Sequence, residues 1–235
     1  MNILDGRKIA ADIRARVKSE ITGLGRTPGL GVVLVGMDPA SHTYVRLKEK
    51  ACAEVGIRFD RTLIPAAATQ DDVLAAVRAY NENPDIDAIL VQLPLPAGMD
   101  ENAVIAAMDP TKDVDGFHPG NMKRFVAGET TMAPVIVNAL LQLIAASGIS
   151  LPGKNVSVFA NSTIFAEPLR VALESRGLHV TTYLGKNLPD TAPTVAIADI
   201  VVVAVGKPKY VRAKDCKDGA VIIDVGTNWL PDGSY

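Results

Sequence analysis

The chain has 235 residues, of which 48% are hydrophobic, so it can form one large domain or two modest ones with an adequate core. Its 24 basic and 26 acidic residues are mixed along the sequence, which excludes the concentrated positive charge of a typical nucleic-acid-binding protein. Two isolated cysteines, no secretion-type N-terminus and no apolar run of about 18 residues lead us to expect a soluble, cytoplasmic protein without zinc or a membrane partner.

Short apolar runs rich in Val and Ile alternate with amphipathic segments, a pattern typical of βα units that feed a mostly parallel sheet. Asp38 and Gly56 should cap the two ends of one helix, and Thr69 and Asp72 form a candidate capping box for the next. In the first half we predict helices over 7–21, 39–56 and 69–80, and strands over 30–35, 57–64 and 88–93.

The second half repeats the βα alternation. It predicts a helix over 134–147, closed by Gly148, and then strands over 155–159, 179–184, 200–205 and 221–225. This order is typical of a doubly wound nucleotide-binding domain. The predicted fold class is therefore α/β, with an N-terminal βα domain over 1–119 followed by a Rossmann-like, doubly wound parallel-sheet domain over 120–235.

Several polar residues of the first half are candidates for a site. Tyr44 and Lys48 lie one helical turn apart and can reach the same ligand atom, although an ordinary amphipathic surface has the same spacing. Gln92 lies at the carboxyl end of an apolar strand, where ligand crevices form, but it could equally satisfy a neighbouring loop. Asp113 and Asp115 lie in a turn and could bind a ligand or their own backbone.

Three ordered motifs carry a resemblance to a known family. They are Tyr44-Val45-x-x-Lys48, Val91-Gln92-Leu93-Pro94-Leu95-Pro96 and Lys112-Asp113-Val114-Asp115-Gly116-Phe117. In these motifs, and over essentially its whole length, the chain resembles the bifunctional methylenetetrahydrofolate dehydrogenase/cyclohydrolases. The resemblance implies that the N-terminal domain is catalytic and takes a tetrahydrofolate derivative as substrate.

The resemblance also implies a role for each matching residue. Lys48 would be the catalytic acid/base, and Tyr44 would orient the folate and Lys48. Gln92 would form a hydrogen bond with Lys48 and tune it, and Asp115 would bind the pterin. Hydration of a methenyl carbon requires one group that accepts a proton from water and later delivers one to a ring nitrogen. A lysine in water, with a pKa of about 10.4, is too basic for this, but burial beside a cationic ring would lower that pKa.

The phosphate-binding loop of the second domain departs from the family pattern Gly-Arg-Ser-x-x-Val-Gly-x-Pro. Ala160 and Ala166 replace the glycines, and their methyl groups should hinder close approach and any positive φ. Asn161 replaces the arginine and cannot form a bidentate contact with a 2′-phosphate, and Glu167 should compete for the helix dipole. We therefore expect weakened NADP binding.

The candidate cofactor-binding residues are Ser162, Asn161 and Lys186. Lys186 favours NADP over NAD, although a solvated loop lysine is an equal alternative. Two alternatives to the bifunctional enzyme stay open: a cyclohydrolase or other folate enzyme with the Rossmann half as scaffold, and a non-catalytic folate-binding subunit. The resemblance implies a homodimer. Because relatives continue beyond the position of Tyr235, the sequence is either a fragment or a divergent, C-terminally short member.

Overall fold

The protein is described by a computed structural model, which covers residues 2–130, 132–185, 188 and 191–226. Its helices are α1 (Gly6–Gly23), α2 (Pro39–Val55), α3 (Gln70–Glu82), α4 (Glu101–Ala106), α5 (Pro119–Val126), α6 (Val135–Ala146), α7 (Thr163–Glu174) and α8 (Thr191–Val195). Its strands are β1 (Gly29–Val35), β2 (Arg58–Ile64), β3 (Ala88–Val91), β4 (Asn155–Ala160), β5 (His179–Leu184), β6 (Ile200–Ala204) and β7 (Val221–Asp224).

The chain divides into two compact units. The first unit comprises Asp5–Arg124, and the second comprises the chain from Phe125 onward together with the first residues up to Leu4. The contacts thus change over between residues 124 and 125, whereas the functional boundary between residues 119 and 120 stays a prediction. Among the described residues, none of the helices has the length and apolar character needed to cross a bilayer.

The first unit is built around a three-stranded parallel sheet with the order β2-β1-β3. Successive residues of β1 point to opposite faces, and both faces are covered by helices. Val33 and Val35 pack with residues of α3 and α4, whereas Val32 and Leu34 pack with Val45 of α2. Burial on both faces explains why this strand is a continuous apolar run.

The second unit contains a four-stranded parallel sheet with the order β5-β4-β6-β7. Val156 and Val158 of β4 pack with α6 and α7 on one face. Phe159 packs on the other face with Val195 of α8 and with Val201. The loop after β4 leads directly into α7 at the carboxyl edge of the sheet, which is where doubly wound sheets bind nucleotides.

The predicted α/β class with a Rossmann-like second unit is confirmed. The capping predictions are confirmed as well. Asp38 accepts a hydrogen bond from the Ser41 amide at 2.7 Å, Gly56 ends α2 with a φ of 90°, and Thr69 and Asp72 form a reciprocal capping box. The third strand ends at Val91, two residues earlier than predicted.

Candidate active site

Lys48 and Gln92 form the centre of the candidate site. The Lys48 ammonium donates a hydrogen bond to Gln92 Oε1 at 2.8 Å, which joins α2 to the residue that follows β3. The Gln92 side-chain amide donates to the Leu93 carbonyl at 2.7 Å, so that its oxygen faces the lysine. The hydrogen bond that the resemblance implies between Gln92 and Lys48 is therefore present in the structure.

The fold dictates this contact through strand pairing. The Gln92 backbone amide donates to the Val33 carbonyl at 2.9 Å, which continues the ladder between β3 and β1 by one bond. Pro94 has no amide proton and ends the strand region soon afterwards. Because α2 follows β1 and covers the same sheet, Lys48 lies above the carboxyl end of β3.

Asp115 is the second charged group of this site. Burial raises the pKa of its carboxyl, the positive charge of Lys48 lowers that pKa, and the negative charge of Asp113 raises it. Burial likewise lowers the pKa of Lys48, against the opposing effect of the Asp115 charge. Among the described residues the Asp115 carboxylate accepts no hydrogen bond, so its oxygens are free to bind a ligand.

The neighbours of Asp115 have structural partners instead. Lys112 donates to the carbonyls of Tyr80, Asn81 and Asn83 at 2.8–3.0 Å and so neutralises the carboxyl end of α3. The sequence does not predict this contact with the end of α3, because the carbonyls lie about 30 residues earlier in the chain.

Tyr44 lies one turn before Lys48 on α2, and 47% of its surface is exposed. Its hydroxyl has no hydrogen-bond partner among the residues that the structure describes. A large aromatic side chain with a free hydroxyl beside a half-buried lysine offers both a stacking surface and a donor to a bound ring. The role that the resemblance implies for Tyr44 stays a prediction.

The structure of the phosphate-binding loop of the second unit contradicts the steric cost expected for its two alanines. Ala160 and Ala166 are 0% and 2% exposed, so their methyl groups face the core and not the surface of the loop. Lys209 is the one non-glycine residue with a positive φ in the described part of the chain, so neither alanine needs that conformation. The expected steric cost of both replacements is therefore wrong.

The exposed surface of this loop is polar. The Ser162 hydroxyl caps α7 by accepting from the Ile164 amide at 3.1 Å, and the Asn161 side chain donates to the Val205 carbonyl at 3.2 Å. Glu167 lies in the second turn of α7 and pairs with Arg170 at 2.5 Å, which lowers the pKa of Glu167. The expectation that Glu167 occupies the helix dipole is therefore also wrong.

Two other predictions concern the cofactor-binding residues and metal binding. Lys186 lies outside the described residues, so its proposed contact with the ribose phosphate stays a prediction. Within the described ranges, no group of three or more His, Cys, Asp or Glu side chains is arranged to hold a metal ion.

The class of protein follows from these two units. The first unit holds a lysine of lowered pKa against an amide and near a carboxylate, which is a group suited to acid–base chemistry. The second unit has the parallel sheet and helix N-terminus of a nucleotide-binding domain. The fold and the site together define a two-unit α/β enzyme of the kind that couples acid–base chemistry to a dinucleotide.

Comparison with known proteins identifies the family. Residues 4–115 match the model of the tetrahydrofolate dehydrogenase/cyclohydrolase catalytic domain, and residues 134–234 match that of the NAD(P)-binding domain of the same family. The chain is 42% identical over 241 residues to the bifunctional protein FolD of Nautilia profundicola, with 99% of this chain and 83% of that protein covered. The chain belongs to the tetrahydrofolate dehydrogenase/cyclohydrolase family, which confirms the resemblance stated from the sequence.

Solved structures agree with this assignment. The bifunctional FolD of Campylobacter jejuni superposes with a TM-score of 0.92 at 33% identity, covering 99% of this chain and 84% of its own. The FolD of Trypanosoma brucei, solved with NADP and an inhibitor, superposes with a TM-score of 0.93 at 35% identity, covering 100% and 82%. The chain thus spans more than four fifths of both structures.

Proposed function

We propose that this protein hydrolyses 5,10-methenyl-tetrahydrofolate to 10-formyl-tetrahydrofolate at Lys48, Tyr44, Gln92 and Asp115, and oxidises 5,10-methylene-tetrahydrofolate with NADP. The observation that carries the proposal is the hydrogen bond between Lys48 and Gln92, with Asp115 in electrostatic reach. Family membership places the chain in one-carbon folate metabolism and disfavours a cyclohydrolase with an idle second half or a non-catalytic subunit.

The hydrolysis needs two proton transfers, and Lys48 supplies the group for both. In its neutral form Lys48 takes a proton from water as the water oxygen bonds to the methenyl carbon. The resulting ammonium then protonates N5 of the pterin as the bond between N5 and that carbon breaks, while the hydroxyl proton leaves and a formyl group remains on N10. Burial, which lowers the pKa of Lys48, raises the fraction of neutral amine available for the first step.

The other residues bind and orient the substrate. The free carboxylate of Asp115 can accept hydrogen bonds from the N–H groups of the pterin. Its negative charge also favours the cationic methenyl form of the substrate over the neutral product. Tyr44 offers its ring and hydroxyl to the same ligand, and Gln92 holds the Lys48 amine in one place.

In the second unit, the residues at the N-terminus of α7 suit the phosphates of a dinucleotide. Asn161, Ser162 and Thr163 form an exposed polar surface at the N-terminus of α7, where backbone amides and the helix dipole favour a pyrophosphate. When bound there, NADP supplies the hydride acceptor for the oxidation. Asn161, Ser162 and the loop that contains Lys186 are the proposed cofactor-binding residues, and residues 1–119 and 120–235 are the proposed folate-binding and NADP-binding domains.

Lys48→Met tests the hydrolytic half. We expect it to abolish hydrolysis of methenyl-tetrahydrofolate while the circular dichroism spectrum and the unfolding transition stay those of the wild type. Lys50→Met is the matched control, because Lys50 is an exposed lysine on the same helix. A Lys48→Met variant with near-normal hydrolysis overturns the assignment of the catalytic group.

NADP titration tests the oxidative half. We expect saturable binding, and formation of NADPH when 5,10-methylene-tetrahydrofolate is added. Absence of binding at millimolar NADP, in a preparation that hydrolyses the methenyl substrate, removes the dehydrogenase activity and leaves the cyclohydrolase.

We also propose that the protein is a cytoplasmic homodimer. The free thiols of Cys52 and Cys216 suit a reducing compartment, and the resemblance implies pairing through the second domain. Sedimentation equilibrium at micromolar concentration tests the dimer, and a monomeric mass at all concentrations contradicts it.

A further inference from the structure

Asp113 is buried beside the proposed site, although it lies only two residues from Asp115. It is 5% exposed, so its side chain has little contact with solvent. One carboxylate oxygen accepts from the Gly116 amide at 3.0 Å, and the other accepts from the His118 amide at 2.8 Å and from the Asn121 side chain at 3.0 Å. Three donors thus converge on one carboxylate.

The backbone of Asp113 is fixed as well. It forms an isolated parallel bridge with Ile89, in which the Ile89 amide donates to the Lys112 carbonyl at 2.7 Å and the Val114 amide donates to the Ile89 carbonyl at 3.4 Å. The segment before Asp115 is therefore held to the edge of the sheet, and the segment after it is held to the Asp113 side chain. Asp115 lies between these two attachments.

We propose that Asp113 is a positioning residue that holds the Asp115 turn in the geometry needed to bind the pterin and that supplies a negative charge beside the Asp115 carboxylate. The proposal rests on the proposed folate site. The geometric part follows from the three hydrogen bonds and the bridge to Ile89. The electrostatic part follows because two charged groups act on Asp115, namely Lys48 from α2 and Asp113 from its own turn.

The charge of Asp113 disfavours the ionised form of Asp115 and so raises the pKa of Asp115. Asp113→Asn removes that charge, and we therefore expect the pKa of Asp115 to fall. Because an asparagine amide cannot accept hydrogen bonds from all three donors, we also expect tetrahydrofolate affinity near neutral pH to fall about tenfold.

The experiment measures the dissociation constant of tetrahydrofolate, which lacks the hydrolysable carbon, across the acidic pH range in the wild type and in Asp113→Asn. The expected result is weaker binding at neutral pH. In addition, the acidic limb of the profile, which is the pH range in which affinity is lost as the pH falls, should lie at lower pH than in the wild type. Titration of the ligand itself is common to both proteins and cancels in the comparison. Wild-type affinity, or weaker binding with the limb unmoved, overturns the proposal.

Two further variants separate positioning from general destabilisation. Tyr80→Phe loses the hydrogen bonds of the Tyr80 hydroxyl to Asp60 and from Thr62, at 2.9 Å each, and destabilises the same unit while it keeps the Tyr80 backbone carbonyl that Lys112 binds. It should leave the acidic limb in place, and a displaced limb in this variant counts against the proposal. Asp113→Glu keeps the charge in a longer side chain, so affinity should fall while the limb stays near that of the wild type.

Asp113→Glu also serves if Asp113→Asn does not fold, since normal affinity in the glutamate variant contradicts the geometric requirement. Failure of the proposed function has a different signature. In that case the wild type itself neither binds tetrahydrofolate nor hydrolyses its methenyl form.

Discussion

Replacing Gln92 should change the pKa of Lys48 in a direction set by the new side chain. In the described part of the chain, Gln92 Oε1 is the one acceptor bonded to the Lys48 ammonium, at 2.8 Å. A hydrogen bond to a charged group contributes about 1.5–3 kcal/mol when buried, and partial exposure of Lys48 reduces this to about 1 kcal/mol. Because Gln92→Leu removes this stabilisation of the ammonium, it should lower the pKa of Lys48.

The pH profile of methenyl-tetrahydrofolate hydrolysis measures this change. Lys48 accepts a proton only in its neutral form, so the midpoint of the rising limb of kcat follows its pKa. In Gln92→Leu the midpoint should move to lower pH, with a lower plateau because the amine is no longer held in place. In Gln92→Glu the added negative charge stabilises the ammonium, and the midpoint should move to higher pH.

Opposite displacements in the two variants are the diagnostic result. Gln70→Leu is a matched control, because the Gln70 side chain accepts a hydrogen bond from the Asp100 amide in the same unit, away from Lys48. If Gln92→Leu and Gln92→Glu both keep the wild-type midpoint, or both move it in the same direction, Gln92 does not set the pKa of Lys48 and its proposed role in the site is refuted.

Two further predictions concern the second unit. The buried carboxylate of Asp199 accepts from the Asn155 amide and the Lys217 ammonium, which lowers its pKa from 3.8 to about 2. Asp199→Asn should therefore reduce the free energy of unfolding at neutral pH by about 2 kcal/mol. A carboxyl with a depressed pKa contributes its full stability above the unfolded value, so this difference should shrink as the pH falls from 3.8 toward about 2. Urea titrations across that range that show a constant difference would contradict it. Asn161→Arg should raise NADP affinity about tenfold by adding a charged contact to the 2′-phosphate, with no change in NAD affinity or in methenyl hydrolysis; an equal gain for NAD would show that the new charge acts elsewhere.

Local signals explain which parts of the fold the sequence predicted. Asp38, Gly56 and Thr69 act within a few residues of themselves, so their capping roles follow from residue type and spacing. The helices α4 and α5 were not predicted. They have 6 and 8 residues, too few for a periodic pattern, and helices of this length depend on tertiary contacts for stability.

The sequence predicted the site only where a family motif implied a contact between residues that lie far apart in the chain. Spacing along α2 placed Tyr44 and Lys48 on one face, but the contact of Lys48 with Gln92 depends on strand pairing across 44 residues. The resemblance supplied that partner, whereas the residues alone left it open. The different roles of Asp113 and Asp115 depend on burial, which two identical residues in one turn cannot show in the sequence.

In the phosphate-binding loop, burial decides whether the two alanine methyl groups interfere with a bound cofactor. Glycine-to-alanine replacement is costly where a methyl group meets the ligand or where φ is positive, and the sequence gives no sign of which side the methyl takes. In the structure the methyl groups of Ala160 and Ala166 face the core, so they leave the loop surface unchanged. The replacement with a remaining cost is Asn161, whose side chain is held by the Val205 carbonyl and carries no charge. We therefore expect the loop to bind the 2′-phosphate less well while the contact with the pyrophosphate is kept, which should appear as a reduced preference for NADP over NAD with dinucleotide binding retained.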